Sequence, residues 1–267
     1  MKSRITKKFE GLREKGEKAL IIFITAGDPS IELTRDLVIE IEKAGADIIE
    51  LGIPFSDPLA DGPVIQAASQ RAIKAGMTTE KAFNLVKALR EKTEIPIAFL
   101  TYFNTVYNYG QLEFLKKCCD FGVDGMIVPD LPLEERKELE DIAKGYPVDI
   151  IPLVAPTSAQ RIKKIVSGAS GFVYCVSSTG VTGIRESFKT DLEAFMEEVG
   201  KHTSLPRAIG FGISGPDAVR QLKPFAEGLI VGSAVVKKIA EDGSPEKVIK
   251  RVSDFVCSLK QALAGCP

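Results

Sequence analysis

The chain has 267 residues, 45% of them hydrophobic, with 35 basic residues against 36 acidic ones and a net charge of -1. That length admits one large domain, because α/β barrels occupy about 250 residues as a single unit. A net charge this close to zero excludes the strong field that selects a nucleic acid or a membrane surface, so the expected partner is small.

No apolar run follows Met1-Lys2-Ser3-Arg4, and the longest apolar segments are strand-sized. Neither a signal peptide nor a membrane span is expected, and the chain reads as cytoplasmic. The cysteines, Cys118, Cys119, Cys175, Cys257 and Cys266, form no C-x-x-C pair, which fits reduced thiols. His202 is the single histidine and lies far from any cysteine cluster, so no metal is expected.

In chain order, Ile5 to Lys15 suggests a helix ahead of the first strand, placed to plug the floor of a barrel. Leu20 to Thr25 is a continuous apolar run ended by Ala26-Gly27-Asp28-Pro29. Ile31 to Ala44 then spaces Leu33, Leu37, Ile41 and Ala44 at helical intervals. The same unit recurs with a strand over Asp47 to Leu51 before helices near Val64 to Ala75 and Thr79 to Arg90. Further strands follow at Ile97 to Thr101, Gly125 to Val128 and Asp149 to Val154, before helices near Gln111 to Cys119, Leu133 to Lys144 and Ala159 to Val166. The last strands are Gly171 to Val176, Arg207 to Gly210 and Gly228 to Val231, followed by helices at Leu192 to Lys201, Asp217 to Leu222 and Ala234 to Ile239.

Apolar strands alternating with amphipathic helices mean a parallel sheet covered by helices. A repeat of about eight such units closes into a barrel more readily than it extends an open sheet. No G-x-G-x-x-G follows the first strand, which weakens the rival dinucleotide-binding fold. The expectation is a single-domain (β/α)8 TIM barrel over residues 1–267, with an extra N-terminal helix and extra helices in the loops after strands 2 and 8.

Function in such a barrel sits at the C-terminal strand ends. Glu50 interrupts the apolar second strand there. The loop after it carries Pro54, Pro58 and Pro63 with Asp57 and Asp61, and it can be neither strand nor helix. Glu50 and Asp61 therefore form a candidate general acid/base pair. The competing readings are a strand-end ion pair for Glu50 and a helix N-cap for Asp61. Phe23, Tyr102 and Tyr174 reach the same mouth, where core packing is the alternative.

Three late strand ends are glycine-rich: Thr179-Gly180-Val181-Thr182-Gly183, Gly210-Phe211-Gly212-Ile213-Ser214 and Gly232-Ser233. Glycines let backbone amides approach an anion, and Ser233 opens a helix after the last strand, which is where these barrels recurrently bind phosphate.

The run Glu50 to Pro63, ELGIPFSDPLADGP, resembles the signature of the tryptophan synthase α-subunit family. The resemblance spans essentially the whole chain through Ile24 to Pro29, Tyr102 to Asn104, Gly180 to Gly183, and the GFGIS and GSAVV segments. It implies an eight-stranded barrel and a lyase that cleaves indole-3-glycerol phosphate to indole and glyceraldehyde 3-phosphate without metal or organic cofactor. It further implies Glu50 and Asp61 as catalytic acids, with Phe23, Tyr102, Tyr174, Thr182, Gly183, Phe211, Gly212, Gly232 and Ser233 around the substrate. Pro54, Asp57, Asn104 and Asn108 match positions that contact a pyridoxal-phosphate-dependent β subunit in an α2β2 assembly. Ser178 departs from members that place an arginine before the TGVTG-like turn. The rivals are a lyase that needs no β subunit, a non-catalytic subunit that activates a partner, and a sugar-phosphate isomerase sharing the phosphate loops.

Overall fold

The structure, a computed structural model, describes residues 2–176, 186–210 and 212–265, the side chains at 159 and 186–190 excepted. Ser178, Gly180, Thr182, Gly183, Phe211 and Cys266 lie outside the described residues.

The apolar runs become strands because each can bury both faces: β1 (Ala19–Thr25), β2 (Ile48–Gly52), β4 (Gly125–Ile127) and β9 (Gly228–Val231) are buried at every position. The others are β3 (Ile97–Leu100), β5 (Asp149–Ile151), β6 (Leu153–Val154), β7 (Val173–Val176) and β8 (Arg207–Gly210). All pair in parallel in the order β5-β4-β3-β2-β1-β9-β8-β7-β6. The two ends of that order, β5 and β6, are halves of one chain segment separated only by Pro152. Proline cannot donate to a ladder, and the strand changes partner there: β5 pairs with β4, while the Pro152 carbonyl and β6 pair with β7. The nine segments thus make eight barrel strands that close on themselves.

The helices are α1 (Arg4–Glu14), α2 (Ile31–Lys43), α3 (Pro63–Lys74), α4 (Thr79–Arg90), α5 (Phe103–Tyr109) and α6 (Gln111–Phe121) in the first half. In the second half they are α7 (Arg136–Ala143), α8 (Ile162–Val166), α9 (Glu186–His202), α10 (Pro216–Leu222), α11 (Ser233–Ala240) and α12 (Pro245–Ala264). Local chemistry sets several starts. Ser3, Ser30 and Thr78 cap α1, α2 and α4 by accepting the N–H three residues on, and Pro63 opens α3 where no donor is needed. The extra helix after the second strand is α3. α12 closes the outer ring between α10 and α2, against β1, which makes α11 the extra helix of the loop after the last strand. α5 departs from the sequence expectation. Its Tyr102 N-cap forms no side-chain cap bond, and the Phe103 N–H is taken instead by Asp130 from the loop after β4, at 2.8 Å.

Two shells of core follow from strand alternation. Ile49, Leu51, Ile97 and Phe99 point outward to the helices, whereas Ile21, Ile48, Ala98, Ile127, Ile151 and Ile230 fill the barrel. Ile5, Phe9 and Leu12 of α1 join the inner cluster, so α1 plugs the floor as its position suggested. Gly125 makes room for it: a Cβ there would stand 2.8 Å from Ile5 Cδ1.

Candidate active site

The parity that turns Ile48 into the barrel turns Glu50 inward as well, beside Phe23 of β1 and Ala98 of β3. Glu50 is 1% exposed, and its Oε2 has no hydrogen-bond partner among the described residues. Burial, with the charge of Asp61 second, pushes its carboxyl up to about 8. The strand-end ion-pair reading therefore does not hold, since no cation pairs with Glu50 among the described residues.

Asp61 is half-buried at the end of the proline loop. The N-cap of α3 is Gly62, so Asp61 does not cap that helix. Its N–H donates to the Pro58 carbonyl at 3.0 Å, and its own carbonyl accepts from Gln66 Nε2 at 2.9 Å. Burial pushes its carboxyl up to about 6, and a hydrogen bond from the Tyr102 hydroxyl opposes the rise. Tyr102 also accepts the Ala60 N–H at 3.0 Å, and its ring stacks on Phe55 with centroids 5.1 Å apart. The stiff loop is thereby held over the mouth by one phenol.

Tyr174 of β7 is buried, and its hydroxyl is pushed up by that burial and by the charges of Glu50 and Asp61. Room for its ring comes from Gly210 on the neighbouring strand, where a Cβ would stand 2.4 Å from Tyr174 Cε1. Phe23 is likewise accommodated by Gly52, whose added Cβ would meet its ring at 2.8 Å.

Phe23, Ala68 and Val236 form a separate buried cluster with Val64, Ile65 and Leu100 packed against it. The result is an apolar wall at the barrel mouth, next to the acids. Val64, Ile65 and Ala68 read in sequence only as the start of a helix, and Leu100 and Val236 only as members of a strand and a helix; that they meet Phe23 is set by the closed barrel.

At the anion end, Gly212 has φ of 76°, a conformation that favours glycine. Gly232 caps α11, which begins at Ser233: its carbonyl takes the Val235 and Val236 N–H groups at 2.8 and 3.0 Å, which leaves the Ser233 and Ala234 N–H groups without a partner inside the helix. A Cβ on Gly232 would lie 3.4 Å from Phe23 Cβ, which places this helix start directly beside the apolar wall. A flat apolar group and an anion can therefore be held in one ligand across Phe23.

Of the expected partner-contact residues, Asp57 is exposed and accepts from Ser56 Oγ at 2.5 Å, and Pro54 is half-buried. Asn104 and Asn108 are exposed on α5 and bonded to each other at 3.1 Å. Leu59, 93% exposed, and Tyr107, 67% exposed, belong to the same loop and helix. Among the described residues no group of three or more His, Cys, Asp or Glu is arranged to hold a metal ion, and no helix is long and apolar enough to cross a membrane.

Fold and mouth together define a class: a (β/α)8 barrel with two carboxyl groups of raised pKa at the C-terminal strand ends. The family model described as "Tryptophan synthase alpha chain" matches residues 9–264, and the chain belongs to this family. It is 54% identical to the tryptophan synthase alpha chain of Caldanaerobacter subterraneus subsp. tengcongensis, over 98% of this chain and 100% of the relative. It is 57% identical to that of Alkaliphilus metalliredigens, over 96% of each. The crystal structure of tryptophan synthase subunit alpha from Legionella pneumophila superposes with a TM-score of 0.91 at 34% identity, covering 99% of this chain and 100% of that one.

Proposed function

We propose that Glu50 and Asp61 carry the lyase reaction of this family, the retro-aldol cleavage of indole-3-glycerol phosphate to indole and glyceraldehyde 3-phosphate. Indole is a poor leaving carbanion until its C3 is protonated, so one carboxyl must donate while another stays anionic nearby. The observation that carries the assignment is a buried, uncompensated Glu50 on the strand with a half-buried Asp61 on the loop close enough to bear on it, both beside one apolar wall; burial pushes Glu50 up to about 8 and Asp61 up to about 6. At neutral pH that leaves Glu50 protonated and Asp61 largely ionised.

In this reading Phe23, Leu100 and the α3 wall hold the indole ring, with Tyr102 and Tyr174 at its edge. Gly212, Gly232 and Ser233 face the phosphate, as would Thr182, Gly183 and Phe211. Glu50 gives its proton to C3 while Asp61 accepts the ring N–H, forming the indolenine. The Glu50 carboxylate then takes the proton of the hydroxyl on the carbon bonded to C3. The carbon–carbon bond breaks to the aldehyde, and its electron pair restores indole as Asp61 returns the proton to nitrogen. Atoms and charge balance, and both acids end as they began.

The chain works in tryptophan biosynthesis, in the cytoplasm and as one domain, bound to a tryptophan synthase β subunit as α2β2. The exposed Asp57, Asn104 and Asn108 at the mouth supply the contact. Steady-state release of glyceraldehyde 3-phosphate from indole-3-glycerol phosphate, with and without the cognate β subunit, tests both parts. Cleavage that accelerates on adding the β subunit is the expected result. Absence of cleavage in both conditions defeats the lyase, and an unchanged rate favours a lyase that acts alone.

A further inference from the structure

Arg71 stands in the third turn of α3, away from both acids, yet its guanidinium grips Asp28 through Nε to Oδ1 and Nη2 to Oδ2, each 2.7 Å. The Asp28 side chain is 1% exposed, and Arg71 is the one cation paired with it among the described residues. A fork of two parallel charge-assisted bonds fixes direction as well as distance. The turn that holds Asp28 is rigid in its own right. The Ala26 N–H donates to Gly52 O at 2.9 Å, the Gly27 N–H to Thr34 Oγ1 at 3.0 Å, and the Asp28 N–H to Thr25 O at 3.2 Å. Through Gly52 this turn is anchored to the strand that bears Glu50.

The opposite end of α3 is fused to the proline loop. Gln66 of its first turn donates to the Asp61 carbonyl, and the Ile65 and Gln66 N–H groups both reach Gly62 O at 3.0 Å. Asp61 therefore moves with α3. Among the described residues, the side-chain hydrogen bonds of α3 are these two, Gln66 to Asp61 and Arg71 to Asp28. The first is internal to the loop and helix, so the second is the helix's own polar tether to the barrel, alongside the Tyr102 hydroxyl that holds the loop at Ala60. The remaining contacts are apolar, through Val64, Ile65 and Ala68 against Phe23 and Val236. Apolar burial is non-directional and does not by itself set where a helix stops along its axis.

We propose that Asp28 and Arg71 are positioning residues for the reaction: their bidentate bond sets where α3, and with it Asp61, stands relative to Glu50. The proposal rests on the roles given above to those two acids. A misplacement of about 1 Å in a reacting group costs about a hundredfold in rate, so a tether of this kind is felt in turnover before it is felt in binding.

The test compares Arg71→Met and Arg71→Lys with Arg207→Met, which cuts a bidentate pair of the same type, Arg207 to Glu227, at the far end of the barrel. Arg71→Met is expected to lower kcat about 10- to 100-fold with KM changed by less than about threefold, and Arg71→Lys to recover only part of the loss, since an ammonium restores the charge but not the fork. Amide hydrogen exchange over residues 57–66, measured without substrate, should accelerate in Arg71→Met. Arg207→Met should lower the melting temperature while leaving kcat and that exchange as in the wild type. The proposal is overturned if Arg71→Met keeps kcat and loop exchange within twofold of wild type, or if Arg207→Met reproduces its changes. Should the wild type not cleave indole-3-glycerol phosphate, the functional reading falls. The exchange comparison then decides the tether by itself, acceleration supporting it and unchanged exchange overturning it.

Discussion

At the floor of the barrel, Asp47, Asp124 and Glu227 each stand one residue before a strand. Each accepts an N–H from the start of the strand alongside: Leu20 at 2.8 Å, Ile97 at 2.9 Å and Arg207 at 2.9 Å. Cations complete them. Lys260 reaches Asp47 at 2.6 Å, Arg90 and Arg4 reach Asp124 at 2.8 and 3.1 Å, and Arg207 reaches Glu227 at 2.8 Å. Asp149 is held by the hydroxyl of Ser3, which ties the plug helix to the floor. At the mouth, Glu50 is as deeply buried as any of these and, among the described residues, has neither a cation nor a partner for Oε2.

The carboxyl groups answer accordingly. Burial pushes Asp124 up, opposed by the Ile97 N–H, Arg90 and Arg4, while Glu227 overcomes its own burial through Arg207 and lies below its ordinary value. Glu50 has nothing to oppose burial and rises to about 8. The same residue class thus stabilises one end of the barrel and is left chemically available at the other. The proposed function lives in that difference, since a carboxyl kept protonated near neutral pH can donate.

The largest expected effect is at the mouth. Glu50→Gln should lower turnover by about two to four orders of magnitude while the melting temperature stays at or above that of the wild type, because no partner is orphaned. Turnover within tenfold of wild type, or a clear loss of stability, would move Glu50 into the floor class. Ser233→Asp should remove measurable binding of glycerol phosphate, because a second anion at the start of α11 repels the first. Unchanged affinity in a calorimetric titration would place the phosphate elsewhere.

The floor should show the inverse pattern. Asp124→Ala strands the half-buried Arg90 and is expected to cost about 3–5 kcal/mol in denaturant unfolding, with kcat of the folded fraction near wild type. A catalytic defect without that loss would break the division.

An effect that builds up by degrees sharpens the comparison through pH. Glu50 has a folded pKa near 8 against 4.5 for the free group, so the folded state holds the extra proton between those values. Its contribution is complete below about 4.5 and is lost as pH rises through about 8, on the order of 1.4 kcal/mol per pH unit. The stability of Glu50→Gln relative to wild type should therefore grow from pH 5 to pH 8.5, and a constant difference across that range would contradict the raised pKa. The smallest effect concerns the partner. Asp57→Ala should leave the isolated lyase rate within about twofold while reducing the activation ratio on saturation with β subunit, and equal ratios would remove Asp57 from the coupling.

Apolar patterning in the chain determined the strands, the plug helix and the place of Glu50 at the C-terminal end of its strand. These depend on the spacing of apolar residues over a few positions, which any reader of the sequence can count. The proline-rich stretch from Pro54 to Pro63 was legible as a rigid loop because proline removes both donors and freedom. Other features needed partners from distant parts of the chain. Asp61 was ambiguous between cap and acid until Gly62 took the cap, and α5 was invisible because Asp130, 27 residues on, supplies its first hydrogen bond. Pro152 marks the barrel's closure only once β4 and β7 flank its two halves. Whether a buried acid is paired is decided by which side chains the closed barrel brings within about 3 Å, and local sequence carries no record of that distance.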